Sequence, residues 1–196
     1  MSDTPDLVPG AANSLATKKY AERFVAAGLP EGHYSDFLNT RIKLSSLGVG
    51  TFPGAIDEVT DVAVAAIVAQ ALQSGINVID TGANYRYGRA GRAVGAGIAK
   101  ALQAGIQREE FFELGKGGFL TFANGKPENL ETFFAEEVEA KGRGKKEDLA
   151  HGIHCLSPEY LLWQLDELRA QTGLATLDAF LVDQPEVQIP VIGKEQ

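Results

Sequence analysis

The most constraining feature of this sequence is an alternation. Short apolar runs, too short to be helices, take turns with longer runs of helical spacing. The apolar runs are Ile42–Gly50, Ile76–Asp80, Phe111–Gly115 and Leu177–Val182. Between them, Glu58–Gly75 places Val62, Ala66, Ala69 and Leu72 at helical spacing, and Gly75 stands where a helix would be capped. Gly91–Gly105 repeats the arrangement, and Pro158–Thr172 begins with a proline suited to a first helical turn and carries Leu161, Leu165 and Leu168. Strands that are apolar on both faces and separated by helices pair in parallel through right-handed crossovers. The expectation is an α/β fold with a parallel sheet.

Length sets the scale, because 196 residues correspond to about one domain. With 44% hydrophobic residues the chain can bury a core, and with 22% charged residues it lacks the signature of disorder. A net charge of −8 repels phosphate backbones and anionic lipid, so neither nucleic acid nor membrane is expected as a partner. The single cysteine, Cys155, excludes an internal disulfide and reads as a small buried filler. No basic, apolar leader opens the sequence and no apolar run reaches membrane-spanning length, which suits a cytoplasmic protein. Residues 1–40 read as a polar tail with a short helix over Ala16–Ala27, and residues 41–196 as the βα unit. Phe122–Glu147 interrupts that unit as a charged insertion with one or two helical turns.

Polar residues gather at the ends of the expected strands: Gly50, Thr51 and Phe52, then Asp80 with Tyr85 five residues on, then Lys116, then Asp183. Loops converge at the carboxyl ends of parallel strands, so these side chains can share one site. Tyr85 could give a proton to a carbonyl oxygen, but a phenol pKa near 10 is high for that work at neutral pH. A cationic Lys116 would lower it, and Asp80 would keep the ammonium charged and oriented. His151 and His154 form an HxxH string with no further ligand nearby, so no metal site is expected. The glycine run from Gly88 to Gly97 does not follow a strand in the dinucleotide-binding manner.

The stretches LGVGTF, GINVIDTGANYRYGRAGRAVG, FFELGKGG and TLDAFLVDQPE, in this order, resemble the aldo-keto reductases. That family shows a Gly-Thr-aromatic turn after the first barrel strand, a Gly-Ile-Asn-x-x-Asp-Thr-Ala stretch with a tyrosine five residues past the aspartate, a lysine ending strand three and a His-x-Pro ending strand four. The resemblance implies a TIM-barrel type of fold, here about four of eight βα units, since a full barrel takes about 250 residues. It also implies reduction of a small aldehyde or ketone by hydride from NADPH, with Tyr85 as proton donor assisted by Lys116 and Asp80, and with Gly50, Thr51, Phe52 and Asp80 against the cofactor.

Three departures accompany the match. Asp183 stands where the family has its strand-four histidine, and a carboxylate accepts where an imidazole would donate. Ala90-Gly91 replaces a Ser-Glu pair after the tyrosine loop, and much of the family's cofactor site lies in strands beyond the fourth. The alternative reading is therefore a non-catalytic half barrel that binds or regulates a protein partner. Its open strand edges would suit a homodimer.

Overall fold

A computed structural model describes residues 6–123 and 125–192. Residues 1–5 of the expected tail and residues 193–196 lie outside the described residues. The elements in chain order are α1 (Ser14–Ala26), β1 (Tyr34–Asp36), β2 (Lys43–Ser45), β3 (Val49–Gly50), α2 (Glu58–Gln73), β4 (Val78–Asp80), α3 (Arg89–Gln103), β5 (Phe112–Gly117), α4 (Leu130–Phe134), β6 (Leu149–Ala150), β7 (His154–Cys155), α5 (Pro158–Thr172), β8 (Ala179–Val182) and α6 (Ile189–Ile192).

β3, β4, β5 and β8 form one parallel sheet in that order. The chain therefore has the expected α/β class, four βα units of TIM-barrel type laid side by side. Registry places Gly50, Asp80, Leu114 and Ala179 in one row, with Lys116 and Leu181 in the next row on the same face. Glu113, Gly115 and Gly117 point to the opposite face, where Leu168 and Gln164 of α5 stand against the two glycines.

Three expectations need correction. Ile42–Gly50 is not one strand: β2 pairs antiparallel with β1, and β3 joins the parallel sheet after a break at Ser46–Gly48. The reason is Asn77, whose buried amide accepts from Ser45 N and donates to Lys43 O and Glu110 O. That clamp fixes β2 at the foot of the sheet, where Phe37 packs on Phe112.

Residues 6–40 are not a tail either. Val8 bridges to the 173–175 backbone, Ala12 N donates to Asp178, and α1 sends Tyr20 and Ala21 into the main core. The β1–β2 hairpin runs across the boundary at residue 40.

Finally, the helix faces are rotated from those expected. α2 buries Ala65, Val68, Ala69, Ala71 and Leu72 and leaves Val62 exposed, while α5 buries Tyr160, Gln164, Leu168 and Thr172. α2 is apolar nearly all round, so glycines on α3 choose its buried face. An added Cβ on Gly97 would lie 2.7 Å from both Ala65 O and Val68 Cβ.

The insertion has a core of its own. α4 continues into a single turn of wider helix over Ala135–Glu139, and Phe134 and Val138 join Leu120, Phe122, Cys155 and Tyr160 in a second apolar cluster. Among the described residues no helix is long and apolar enough to cross a membrane.

Candidate active site

Lys116 is the last residue but one of β5, the sheet's third strand, rather than lying beyond it. Its ammonium donates to Asp80 Oδ2 at 2.8 Å and to Tyr85 Oη at 3.2 Å. Asp80 ends β4, the neighbouring strand, so parallel pairing brings the two charged groups together. Burial by itself would lower the Lys116 pKa, but the hydrogen bonds with Asp80 and Tyr85 carry it upward, and the ammonium stays charged.

Tyr85 begins a tight turn after β4 and is buried. Its ring lies against Gly82, where a Cβ would come within 2.7 Å of it; the family pattern has alanine at that place. Phe52 meets the Tyr85 ring edge-on at 5.1 Å. The next two residues, Arg86 and Tyr87, both adopt left-handed backbone, with φ of 50° and 56°. Such residues cost about 1–2 kcal/mol each, so something must hold them. The buried Arg86 does so, donating to Ala55 O at 3.0 Å and pairing with Asp61 on α2. Arg86 and Asp61 were not marked by the sequence motif, because their contact depends on where α2 starts.

Burial outweighs Lys116, which pulls the Tyr85 pKa down as its charge leads one to expect. Burial pushes the phenol up; the Lys116 hydrogen bond opposes this, and the Asp183 and Asp80 carboxylates add to it. Asp183 follows β8, with its N–H on Gly117 O at 2.7 Å. Its own carboxyl is pushed up by burial and by Asp80 against the pull of Lys116, in the direction that favours a neutral acid.

Thr51 lies beneath the site, buried, with its hydroxyl donating to Asp80 O and hydrogen-bonded to the Thr81 hydroxyl, each at 3.0 Å. Gly50 and Phe52 are open: a Cβ on Gly50 would meet nothing within 4 Å, and Phe52 is 66% exposed. The structure thus brings Asp80, Tyr85, Lys116 and Phe52 together, sets Asp183 near them, and turns Thr51 inward.

Two histidine and glycine features have structural explanations. His154 is fully buried, with Nε2–H donating to Asp183 O at 2.8 Å and Nδ1 accepting from Gln188 at 2.9 Å, whereas His151 sits exposed in the β6–β7 turn. No group of metal-ligating side chains occurs among the described residues. The Gly88–Gly97 run serves helix packing: a Cβ on Gly91 would strike Gln171, and one on Gly95 would lie 2.3 Å from Gln171 O. Cys155 is buried in the second cluster and its thiol is pushed up by burial, away from the reactive thiolate.

Residues 46–193 match the model of the aldo/keto reductase family, and the chain belongs to that family. Among solved structures it is similar to aldo-keto reductase AKR11C1 from Bacillus halodurans in its holo form, at 19% identity over 78% of this chain and 42% of that one, with a TM-score of 0.49. It is also similar to the Bombyx mori aldo-keto reductase AKR2E4 in complex with NADP, at 21% identity over 76% of this chain and 37% of that one, with a TM-score of 0.42. The chain thus spans less than half the length of either structure. No curated protein matches it.

Proposed function

We propose that this chain carries the proton-transfer centre of an NADPH-dependent carbonyl reductase, acting on a small aldehyde or ketone. The observation that carries the reading is the three-membered relay, with the Lys116 ammonium 2.8 Å from Asp80 and 3.2 Å from Tyr85. Because Tyr85 Oη accepts from Lys116, the phenol keeps its own proton free to give to a carbonyl oxygen. As that proton leaves, the fixed ammonium stabilises the tyrosinate, and Asp80 holds the ammonium in place. Asp183 opposes the step while ionised and assists it as a neutral donor.

Gly50 and the exposed Phe52 ring fit the flat nicotinamide end of the cofactor. The fit stops at its phosphates. The cation that follows Tyr85, Arg86, is turned away onto Ala55, Asp57 and Asp61 and so is not free for them. Bound there, reduced nicotinamide would supply the hydride.

The test is titration of the purified chain with NADPH, following cofactor fluorescence, with light scattering on the same sample. Saturable binding in the micromolar range, with carbonyl reduction that falls at least about 100-fold in Tyr85→Phe, is the expected result. A folded sample that binds no cofactor up to millimolar concentration would overturn the reading. It would favour the second one, a non-catalytic partner-binding module. For that alternative the supporting observation is β8 at the open edge of the sheet, where Leu181 remains 46% exposed and Val182 37%.

A further inference from the structure

Beside the relay lies a cavity of about 630 Å³ whose lining includes none of Asp80, Tyr85, Lys116 or Asp183. It opens between the turn after Tyr85, the start of α3, the insertion and α5. Its volume is ordinary for a small-molecule site.

Two properties of the lining point the same way. Tyr87, Phe122 and Phe133 form one continuous aromatic wall, with ring centroids 6.2 Å and 5.0 Å apart along it, and Trp163 of α5 adds a fourth ring. The Arg143 guanidinium already covers one face of Trp163, 4.2 Å from the ring centroid, so a ligand would meet Tyr87, Phe122 and Phe133 and the remaining surface of the indole. Around these rings stand Glu128, Glu136, Glu137 and Glu167 against Arg92 and Lys126, which leaves the lining net negative. Glu137 is partnered by Lys141, whereas Glu136 and Glu167 show no ion pair among the described residues. Aromatic faces and carboxylates both attract positive charge, and the rings take an apolar body out of water. A carboxylate ligand would meet repulsion from the same groups.

We propose that this cavity binds a small organic cation, an amine or guanidinium carried on an aromatic or alicyclic body. The proposal does not depend on the reductase reading, because no relay residue lines the site.

Trp163 is the only tryptophan in the chain, so its fluorescence reports on the cavity directly. The experiment titrates the full chain at pH 7 with 2-phenylethylammonium, 2-phenylethanol and phenylacetate. The ammonium should give a saturable change, the alcohol should bind about tenfold more weakly, and phenylacetate should give none. Added salt should weaken the ammonium. The double variant Glu136→Gln/Glu167→Gln, which removes two exposed charges and should keep its circular dichroism, should weaken the ammonium several-fold and leave the alcohol unchanged. Tyr85→Phe should bind the ammonium as the parent does, whatever its effect on carbonyl reduction. A flat titration by a folded sample, equal affinity for the alcohol, or insensitivity to the double substitution would each overturn the proposal.

Discussion

Tyr85 is held from two directions, by the Lys116 ammonium at its hydroxyl and by the missing side chain at Gly82 under its ring. Asp183 acts on it through charge alone and raises the phenol pKa. Asp183→Asn should therefore lower the Tyr85 pKa, measured as the difference in ultraviolet phenolate titration between this variant and its Tyr85→Phe derivative; no change would separate Asp183 from the relay. A second carboxyl behaves differently. Glu113 is fully buried on the helix-facing side of β5, and neither of its oxygens has a hydrogen-bond partner among the described residues. Burial holds its pKa well above the usual 4.5, against the pull of Arg108 and with the help of Asp178 and Asp80. The sign follows from linkage. Below about pH 4.5 both folded and unfolded chains keep the proton, whereas above it the unfolded chain releases it first, so stability falls as pH rises until the folded carboxyl also ionises. Glu113→Gln should flatten this decline, so that its melting temperature exceeds the parent's increasingly from pH 5 to pH 8. Parallel curves for the two proteins would rule the effect out.

The α/β alternation, the cap positions near Gly75 and Gly105, and the Asp80, Tyr85 and Lys116 set were legible because each depends on local spacing or on a motif. The glycine run on α3 was not, because its meaning lies on other helices. An added Cβ at Gly95 would stand 2.3 Å from Gln171 O and 3.1 Å from Thr172 Cα, both backbone atoms that cannot swing aside. In a free helix, glycine to alanine stabilises by about 1 kcal/mol. Here overpacking costs about 1–3 kcal/mol and should win. Gly95→Ala should thus lower the melting temperature, while Gly32→Ala, where an added Cβ meets nothing within 4 Å, should leave it nearly unchanged. The Asn77 clamp and the split of Ile42–Gly50 were hidden for the same reason, since a polar residue in an apolar run says nothing of its distant partners.

Two apolar clusters divide the described residues. The main one joins Tyr20, Val68, Leu72, Ile79, Val94, Ile98, Phe111 and Leu174 across α1, α2, α3 and the sheet, whereas the second gathers the insertion around Phe122, Phe134, Val138 and Tyr160. α5 joins the second cluster through Tyr160 and Trp163, and one of its residues ties the insertion down. Buried Gln164 accepts from Gly118 N at 2.7 Å and donates to Phe119 O and Thr121 Oγ1, each at 2.8 Å. A leucine there would fill similar space and strand three polar groups, at about 1–3 kcal/mol for each that stays dry. The loss falls on the entry to the insertion, not on the main core. In Gln164→Leu, amide exchange should therefore quicken at least about tenfold over residues 118–156, since about 1.4 kcal/mol is one decade. Peptides covering Val68–Leu72 and Ile98–Ala101 should exchange as before, because Val68, Leu72, Ile98 and Ala101 belong to the first cluster. The insertion lines the cavity but holds none of Asp80, Tyr85 and Lys116, so the same variant should weaken cation binding at Trp163 more than it disturbs the Lys116–Asp80 pair. A uniform rise in exchange across both segments would show one cooperative unit and refute the division.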